Sequence, residues 1–494
     1  MSIARNAGLN LASQSLNAVL PTVISVLVAR LLMPAGAGRY SYLTYLAAIG
    51  VSVATLGLPS AVTRFTALFA GAGDGDAARR TGAWLVRTGM RLSLLTGGAV
   101  LLAAWFGARP VDTSMGELVL VGLLIPLSAA GIMLGALIAG QQRFGTLLRV
   151  GLVLAPITFT ANLCALILVR TVFSLLLAQV IVAAIQALLL RQATRGQEYW
   201  GAGRPNRAQR REVWSYLAPV SATVILDVVV WQRSEVLFLQ YYSSNEQIAF
   251  YALPFALVSR VMLLLPGALT GVLLPRFSSE LGAGSARGTI ETYRQAVLAT
   301  AWLAAPLAAA GIVLASPLLQ LLYGSAFNPA APIFRLLLVS GAFAAIAGVG
   351  AAAAYGGGKQ NFVLKSSAAT AAVNIALDFV LIPSMAAAGA AVANGAAQLV
   401  GLAIGFTYLK RSLGLRLPGT GLARVAAVSL LATLAASAWL LTPLSAAPLV
   451  AGGSTTFLLV YLSLSRLLPE ELRRLQRVGL GLLKSKPHVK RSRD

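Results

Sequence analysis

The hydrophobic residues of the chain are grouped in long runs that short polar segments separate. Each run is close to 20 residues or longer, which is the length that an α-helix needs to cross the hydrocarbon core of a bilayer. The pattern therefore predicts an all-α, polytopic membrane protein with about fourteen transmembrane helices. The predicted spans are residues 11–32, 41–63, 84–107, 117–140, 147–169, 172–190, 213–236, 249–274, 295–315, 332–354, 362–383, 388–409, 422–440 and 446–465.

The distribution of lysine and arginine predicts the orientation of these spans. With the N-terminus inside, thirty of these residues fall in inner segments, and only Arg39, Arg109 and Arg170 fall in outer loops. Cytoplasmic loops are enriched in lysine and arginine, so both termini are expected to be cytoplasmic. The net charge of +24 then mainly reflects the positive residues of the cytoplasmic loops, which match an anionic inner leaflet. A nucleic-acid partner is therefore not expected.

The composition excludes several kinds of catalytic and metal site. Only 11% of the residues are charged, against about a quarter in soluble domains, and 57% are hydrophobic. The single cysteine, Cys164, lies within a predicted span, and the single histidine, His488, lies in a basic C-terminal tail. A disulfide framework, a thiolate metal site and histidine catalysis inside the membrane are therefore excluded, and no cofactor or metal is expected.

Two halves of the chain share a pattern that predicts an internal repeat. The stretches that begin at residues 36 and 245 both run from a small polar loop through an apolar helix to a Leu-Pro patch. Both then carry an arginine, Arg64 or Arg276, followed by phenylalanine and a glycine-rich loop. Spans 1–6 and 7–12 are therefore expected to form two pseudo-symmetric six-helix lobes, an arrangement that transporters use to enclose a substrate site. The expected divisions are an N-lobe at 1–194, a basic cytoplasmic linker at 195–212, a C-lobe at 213–411, two extra C-terminal helices at 412–467 and a basic cytoplasmic tail at 468–494.

Polar residues recur at helical spacing within several spans. Residues three, four or seven apart lie on one face of a helix, so the polar residues of spans 1, 7 and 11 form stripes. A polar stripe that faced lipid would be costly, so the stripes are expected to face a water-filled cavity or protein. Helix–helix hydrogen bonding is the alternative to a cavity. The candidate cavity residues are Gln14 and Asn17, Asp227 and Glu235, and Asn374 and Asp378.

Five arginines within or beside the spans are candidates for binding an anionic headgroup. Arg260 lies in the middle of span 8, where an unpaired arginine costs from about 2.5 to more than 10 kcal/mol. Asp227 on the preceding span is its expected partner, so a structural ion pair and an anion-binding role are both open. The other four are expected to form a basic inner mouth, with ordinary positive-inside charge as the alternative: Arg64, Arg87, Arg91 and Arg276.

Three stretches of the sequence resemble one family of membrane proteins. The first is VARLLMPAGAGRYSYLTYLAAI, a turn with proline followed by a Gly-x-Tyr helix, and the second is LGLPSAVTRFTA, which contains Arg64. The third runs from AAYGGGKQNF through AAVNIALDFVLIPSM to GAAVANGAAQLV. Over nearly the whole chain, the sequence resembles the polysaccharide flippase family of the multidrug/oligosaccharidyl-lipid/polysaccharide exporter superfamily. Asp378 stands where that family usually has asparagine. Energy coupling through this position is therefore possible, but the resemblance does not imply it.

The resemblance implies translocation of an oligosaccharide linked to undecaprenyl diphosphate across the bacterial inner membrane. The two lobes would rock between inward-open and outward-open states, and the inner-mouth arginines would capture the diphosphate. The first helix lacks the arginine–aspartate pairing of lipid II flippases, which favours an O-antigen or exopolysaccharide unit over lipid II. The expected partners are the lipid-linked oligosaccharide and membrane lipids, and the polysaccharide polymerase machinery is left open as a further partner.

Two other functions are weighed against this one. A cation-coupled multidrug extruder of the same superfamily would use acidic residues such as Glu235 and Asp378, although the mid-membrane arginines disfavour a site for cations. An enzyme acting on the same lipid carrier would need acidic or histidine residues in outer loops, which offer only Asp112, Glu117 and Glu246. The chain is therefore expected to be a transporter and not an enzyme, with a lipid II flippase as the alternative within the family.

Overall fold

The chain is described by a computed structural model that covers residues 3–107, 110, 112–195, 203–231 and 234–464. For residues 3–19, 223, 226–231 and 263–272, only the backbone is described. Within these ranges every regular element is a helix, so the predicted all-α fold is confirmed. The predicted basic tail at 468–494 lies outside the described residues.

The described ranges contain fifteen α-helices. They are α1 (Ile3–Thr55), α2 (Leu58–Gly71), α3 (Gly75–Trp105), α4 (Met115–Gly140), α5 (Phe144–Cys164), α6 (Val172–Ala193), α7 (Arg207–Trp231), α8 (Glu235–Tyr242), α9 (Asn245–Gly282), α10 (Ala286–Val313), α11 (Ala315–Tyr323), α12 (Ala331–Gly356), α13 (Gln360–Leu413), α14 (Gly419–Ser437) and α15 (Ala446–Ser463). A π-helical turn at Ala165–Val169 follows α5, and 3-10 turns at Ser325–Ala330 and Ala438–Leu441 precede α12 and follow α14.

Ten helices in the described part of the chain are long and apolar enough to cross a membrane. Two of these ten belong to α1 and α13, which are each interrupted by a bend. Helix α1 contains the first predicted span and most of the second, and α13 contains the eleventh and the twelfth. Predicted spans 7 and 8 correspond to α7 and α9, in which several side chains are not described. The chain is therefore a multi-pass membrane protein in which every predicted span overlaps a helix or one arm of a helix.

The bend of α1 lies at Met33, immediately before Pro34. Met33 has φ 58° and ψ 174°, which is not a helical conformation, and a proline disfavours helical backbone at the residue before it. The bend follows directly on the predicted span 11–32. The chain therefore passes from the first span to the second through a bend and not through a loop.

The predicted second span, 41–63, consists of two helical pieces. Leu56 and Gly57 both have positive φ, at 35° and 78°, and they separate α1 from α2. The carbonyl of Leu56, which the break frees from helical bonding, accepts a hydrogen bond of 2.7 Å from the hydroxyl of Ser221 on α7. A side chain from a distant part of the sequence therefore stabilises this break, which the hydrophobic pattern does not reveal.

The bend of α13 lies at Ala386, which has φ 48° and ψ −127°. The amide of Ala387 donates to Oε1 of Gln247, at the start of α9, over 3.3 Å. At Gly389 a Cβ atom would lie 2.4 Å from the carbonyl oxygen of Leu381, so only glycine allows the two arms to approach this closely. One glycine and one glutamine therefore make close contacts at this bend.

The segment 316–331 lies between the predicted spans 295–315 and 332–354, where the sequence predicts an uncharged outer loop, but it is helical. It contains most of α11 and the 3-10 turn that follows. Leu319, Tyr323 and Phe327 succeed one another at four-residue spacing, and each is at most 2% exposed. Apolar residues at this spacing form one face of a helix, which buries itself instead of staying in solvent.

The helices form two compact units. The first contains Met1–Leu253 and Ile375–Ala390, and the second contains Pro254–Asn374 and Ala391–Asp494. The first unit thus includes α1–α8, the start of α9 and the bend of α13. The predicted lobes follow the sequence repeat, whereas these units follow packing, so the division into six-helix lobes stays a prediction.

The two C-terminal helices pack on α10 in the second unit. Leu298 of α10 and Phe457 of α15 belong to one buried cluster with residues of α14. At Gly421 a Cβ atom would lie 2.5 Å from the Leu298 side chain, and the Tyr461 hydroxyl donates to the carbonyl of Trp302 over 3.1 Å. Lipid is as apolar as these side chains, so close fit and hydrogen bonding hold the helices together.

Candidate functional site

Two acidic residues from the predicted stripes lie close together in the first unit. Glu235 is the first residue of α8 and is 1% exposed, and Asp378 of α13 is fully buried. Their carboxyl groups are near enough to interact electrostatically. Two buried carboxylates repel each other, so the pair favours a proton, a cation or hydrogen-bond donors between or around them. It is a poor place for a diphosphate, which carries the same sign of charge.

Aromatic packing holds the two helices that carry this pair. The rings of Phe238 on α8 and Phe379 on α13 meet edge to face, with centroids 4.7 Å apart. Each of these residues is within one turn of its acidic neighbour, Glu235 or Asp378. The bend of α13 at Ala386 then ends the arm two turns after Asp378. The acidic pair therefore sits on a packed and bent framework and not on a loop.

The polar stripe of span 11 is buried from Thr370, one turn before Asn374, to Asp378. Asn374 precedes Asp378 by one turn on the same face and is 2% exposed, and Thr370 is 6% exposed. A Cβ atom at Gly401, on the second arm of α13, would lie 2.6 Å from the Thr370 hydroxyl oxygen. In this conformation the Thr370 end of the stripe faces protein, so its exposure to a cavity stays a prediction.

Arg260 lies half-buried on α9 in the second unit. It interacts electrostatically with Tyr323, the last residue of α11. The side chain of Asp227, its expected partner, is not described. Tyr323 belongs to the segment that was expected to be an outer loop, so sequence analysis had no reason to place it beside a mid-span arginine.

Arg64 projects from α2 in the first unit and is exposed. Its guanidinium carbon lies 4.5 Å from the centre of the Tyr216 ring on α7 and 5.6 Å from that of Phe65. The two rings meet edge to face, with centroids 5.7 Å apart. Stacking on an aromatic face orients the cation without neutralising its charge, so Arg64 can still bind an anion.

Two further arginines lie on α3. Arg87 is partly buried and Arg91, one turn later, is exposed. Arg87 follows Trp84 by three residues, and the Trp84 ring meets that of Trp214 on α7 edge to face at 6.2 Å. Arg64 and Arg87 are thus both on helix faces that contact the first half of α7. A basic surface on this unit is consistent with the predicted inner mouth.

Arg276, the fourth arginine of the predicted mouth, lies on α9 in the second unit. Its Nε donates to the carboxylate of Glu280, one turn later, over 3.0 Å. The same carboxylate oxygen accepts a 2.7 Å hydrogen bond from the hydroxyl of Thr292 on α10. The charge of Arg276 is therefore partly offset, whereas Arg64 stacks on rings. The grouping of all four arginines stays a prediction, because they belong to two units.

Three predicted cavity residues can be placed by backbone alone. Gln14 and Asn17 lie on the first arm of α1, and Asp227 lies on α7, but their side chains are outside the described residues. Asn17 precedes Pro21 by one turn, and Pro21 lines a cavity of about 390 Å³ between α1, α4, α5 and α6. Gln186 supplies polar atoms to that cavity. The first unit therefore contains a partly open cavity beside the arm that carries the stripe.

Sequence analysis missed an ion pair at the start of α4. Glu117, considered only as a loop carboxylate, forms an ion pair with Arg39, and its side chain is 3% exposed. Ser114 and Glu117 also cap the helix reciprocally: the Glu117 amide donates to the serine oxygen over 3.2 Å, and the Ser114 amide donates to the carboxylate over 2.9 Å. The Ser-x-x-Glu pattern SMGE is a recognised signature of this cap and could have located it.

A second polar contact of the first unit also escaped prediction. The amide nitrogen of Gln179 on α6 donates to the Tyr40 hydroxyl over 3.1 Å and to Oδ1 of Asn162 over 3.3 Å. Asn162 is fully buried. The three residues come from α1, α5 and α6, so no local spacing in the sequence connects them.

Two family models match the chain. The model described as "Polysaccharide biosynthesis protein" matches residues 27–332, which is more than half of the sequence. The model described as "Lipid II flippase MurJ" matches residues 249–461. No curated protein sequence matches the chain significantly.

Solved structures with a similar fold are membrane transporters. "Lipid II flippase MurJ, inward closed conformation" is 14% identical, with a TM-score of 0.71 over 94% of this chain and 98% of that one. An inward-facing multidrug resistance MATE family transporter of the MOP superfamily is 14% identical, with a TM-score of 0.63 over 80% of this chain and 94% of that one. A point mutant of a MATE protein is 12% identical, with a TM-score of 0.51 over 81% of this chain and 96% of that one. At these identities the likeness concerns the fold.

Proposed function

Because the chain belongs to the polysaccharide biosynthesis protein family, within the flippase group of the MOP superfamily, we propose that it flips a lipid-linked oligosaccharide across a membrane. The observation that carries the proposal is the family match over residues 27–332 in a chain of membrane-spanning helices. The matching families are transporters and not enzymes. The proposed substrate is an undecaprenyl-diphosphate-linked unit for O-antigen or exopolysaccharide. The protein is proposed to act in the bacterial inner membrane, with both termini in the cytoplasm.

The diphosphate is proposed to bind first to the arginines of the first unit. Arginine forms paired hydrogen bonds with phosphate oxygens, and its charge does not depend on pH. Arg64 is held in one orientation by the Tyr216 ring, which lowers the entropy lost on binding. Arg87 and Arg91 add charge on a helix packed beside it. Arg276 would join them by exchanging Glu280 for phosphate.

The sugar is proposed to meet the polar stripes. Carboxylate and amide oxygens accept hydrogen bonds from sugar hydroxyls, and amide nitrogens donate to them. Glu235, Asn374 and Asp378 are buried in the described conformation, so they would reach the sugar only when rocking separates the helices around them. The same role is proposed for Gln14, Asn17 and Asp227, because of their positions along their helices. Arg260 is proposed as a second contact for the headgroup.

The test is an analysis of lipid-linked glycans in a strain that lacks the protein. A flippase of this kind predicts that a complete oligosaccharide unit accumulates on its carrier at the cytoplasmic face, while the polymer is absent outside. Complementation by the wild-type chain should restore both. An unchanged pool of carrier-linked units together with normal polymer would reject the proposal.

A multidrug extruder is the second candidate. The buried pair of Glu235 and Asp378 would suit an organic cation, and the fold is similar to that of a MATE transporter. The same deletion strain separates the two functions. An extruder predicts sensitivity to cationic drugs with normal lipid-linked glycans, whereas the flippase predicts the reverse.

Lipid II is the alternative substrate within the flippase group. The match of the "Lipid II flippase MurJ" model to residues 249–461 supports this alternative, because it covers much of the second unit. Accumulation of lipid II in the depleted strain would favour it over an O-antigen or exopolysaccharide unit. Co-purification with the polymerase that uses the flipped unit would test the proposed protein partner.

A further inference from the structure

An open groove lies between the first turn of α13 and the last turns of its second arm, within the second unit. Its volume is about 600 Å³, and its walls include Phe362 from the first arm and Ala403, Ile404, Tyr408 and Arg411 from the second. This volume is in the range of roughly 300–1,000 Å³ that small-molecule sites occupy. The lining is mostly apolar, and Arg411 is the charged residue among the lining residues.

The groove changes in polarity along the axis of the second arm. Ala403 and Ile404 form its apolar end, and Arg411 lies about 12 Å further along the helix at a rise of about 1.5 Å per residue. Between them the rings of Phe362 and Tyr408 stack in parallel, with centroids 3.6 Å apart and planes inclined by 6°. The order apolar, aromatic, cationic is that of a bilayer from its core to its surface.

The cationic end of the groove is open to an anion. Arg411 is exposed, and no carboxylate pairs with it in the part of the chain that the structure describes. The hydroxyls of Thr407 and Ser412 are neutral and donate to carbonyls of their own helix, each over 2.8 Å, so they do not offset the positive charge of the groove. Lys410 adds a second exposed positive charge beside the groove.

We propose that this groove binds an anionic glycerophospholipid of the cytoplasmic leaflet. One acyl chain would lie along Ala403 and Ile404, and the phosphate would accept hydrogen bonds from Arg411. Basic pockets between helices on the cytoplasmic side of membrane proteins favour such headgroups, because the apolar wall and the cation match the two ends of the lipid. The C-terminal tail is itself basic, so it is a poorer occupant of a groove with a cationic end. The proposal does not depend on the flippase function.

Native mass spectrometry of the purified full-length protein tests the proposal. Phosphatidylglycerol and phosphatidylcholine are titrated separately into detergent micelles that contain the wild type or a variant. Arg411→Gln should lower phosphatidylglycerol affinity about fivefold to tenfold and leave phosphatidylcholine binding unchanged, because it removes a charged hydrogen-bond donor. Ala403→Phe fills the apolar end and should lower the binding of both lipids.

Lys410→Gln is the matched control, since it removes the same charge from the neighbouring residue outside the groove lining. It should change phosphatidylglycerol affinity by less than the groove variant. An equal loss in both charge variants would mean attraction to the general basic surface and would overturn the proposal. Displacement of phosphatidylglycerol by undecaprenyl phosphate at equal concentration would also overturn it, since the groove would then belong to the carrier lipid.

Discussion

Arg64 and Arg276 occupy matching positions of the predicted repeat, yet their surroundings differ. Arg64 lies over the Tyr216 ring, whereas Arg276 is bonded to Glu280. The acidic residues differ in the same way. Glu117 is matched by Arg39, but Glu235 lies near a second carboxyl group. At the residue scale, the neighbour of each charged group decides which ion it can bind.

Replacing Arg64 tests the proposed capture of the diphosphate. Arg64→Ala should lower export roughly tenfold or more, because a hydrogen bond to a charged group contributes about 1.5–3 kcal/mol. Arg64→Lys should keep part of the activity, since it retains the charge but not the paired hydrogen bonds. Export is measured as surface polymer at equal protein level in the membrane. Arg79→Ala is the control, because Arg79 is paired with Asp76. Equal loss in both variants would speak against a specific role.

Replacing Arg260 tests whether it binds the headgroup. Arg260→Ala should abolish export while the protein still accumulates in the membrane. Arg335→Ala is the matched control, since Arg335 is an exposed arginine of a predicted span in the same unit that donates to the carbonyl of Ile312. Normal export by the Arg260 variant would refute a headgroup role and leave the electrostatic interaction with Tyr323 as its role.

The buried acidic pair leads to a prediction about stability. Asp378→Asn removes one of two repelling carboxylates at constant size, so the melting temperature in detergent should not fall. A loss of about 3–5 kcal/mol in unfolding free energy would instead mean that Asp378 balances a buried cation, which the substitution leaves unpaired. The two outcomes differ by several degrees in a thermal unfolding scan.

At the scale of helices, the bends are held by contacts from elsewhere in the chain. Ser221 bonds the carbonyl that the α1–α2 break frees, and Gln247 bonds the amide at the α13 bend. Pro34 predicts the bend at Met33, but no proline directly follows Ala386. The local sequence therefore predicts the bend at Met33, whereas tertiary contacts stabilise the bend at Ala386.

The α13 bend can be tested at its glycine. Gly389→Ala should destabilise the protein by about 1–3 kcal/mol, because the added Cβ would lie 2.4 Å from a backbone oxygen that cannot move alone. Gly405→Ala, in the same helix, should be neutral or slightly stabilising, since a Cβ there meets nothing within 4 Å. Thermal unfolding in detergent measures both. Equal effects of the two variants would contradict the packed bend.

At the scale of the whole molecule, charge and packing carry different information. The excess of inner lysine and arginine predicts which side each loop occupies, whereas packing groups the helices into two units that do not end where the repeat ends. Residues 375–390, near the end of the predicted C-lobe, belong to the first unit. Helix order in sequence therefore does not fix helix grouping.

The predicted orientation can be measured with single cysteines. After Cys164, the one native cysteine, is replaced by serine, Lys359→Cys should react with a membrane-impermeant maleimide only in broken cells. Thr442→Cys, which lies between α14 and α15, should react in intact cells whose outer barrier is permeabilised. Both positions are exposed. Labelling of the Lys359 variant in intact cells would mean that the chain has the opposite orientation to the predicted one.

The sequence by itself determined the features that depend on composition and local spacing. Runs of about 20 apolar residues can satisfy their backbone in lipid only as helices, so the all-α membrane fold follows from the hydrophobic pattern. The stretches that carry the family resemblance are also local. Segment 316–331 was predicted incorrectly as a loop, although its apolar residues have helical spacing.

Tertiary structure decided which distant residues meet. Nothing in the sequence around Arg260 points to Tyr323, and nothing around Asp378 points to Glu235, because each electrostatic interaction joins helices that are far apart along the chain. Side chains at the right spacing form a stripe whether that stripe faces water, lipid or another helix. Only the packing of neighbouring helices distinguishes these environments, and it therefore determines which polar residue is a candidate site and which is a structural contact.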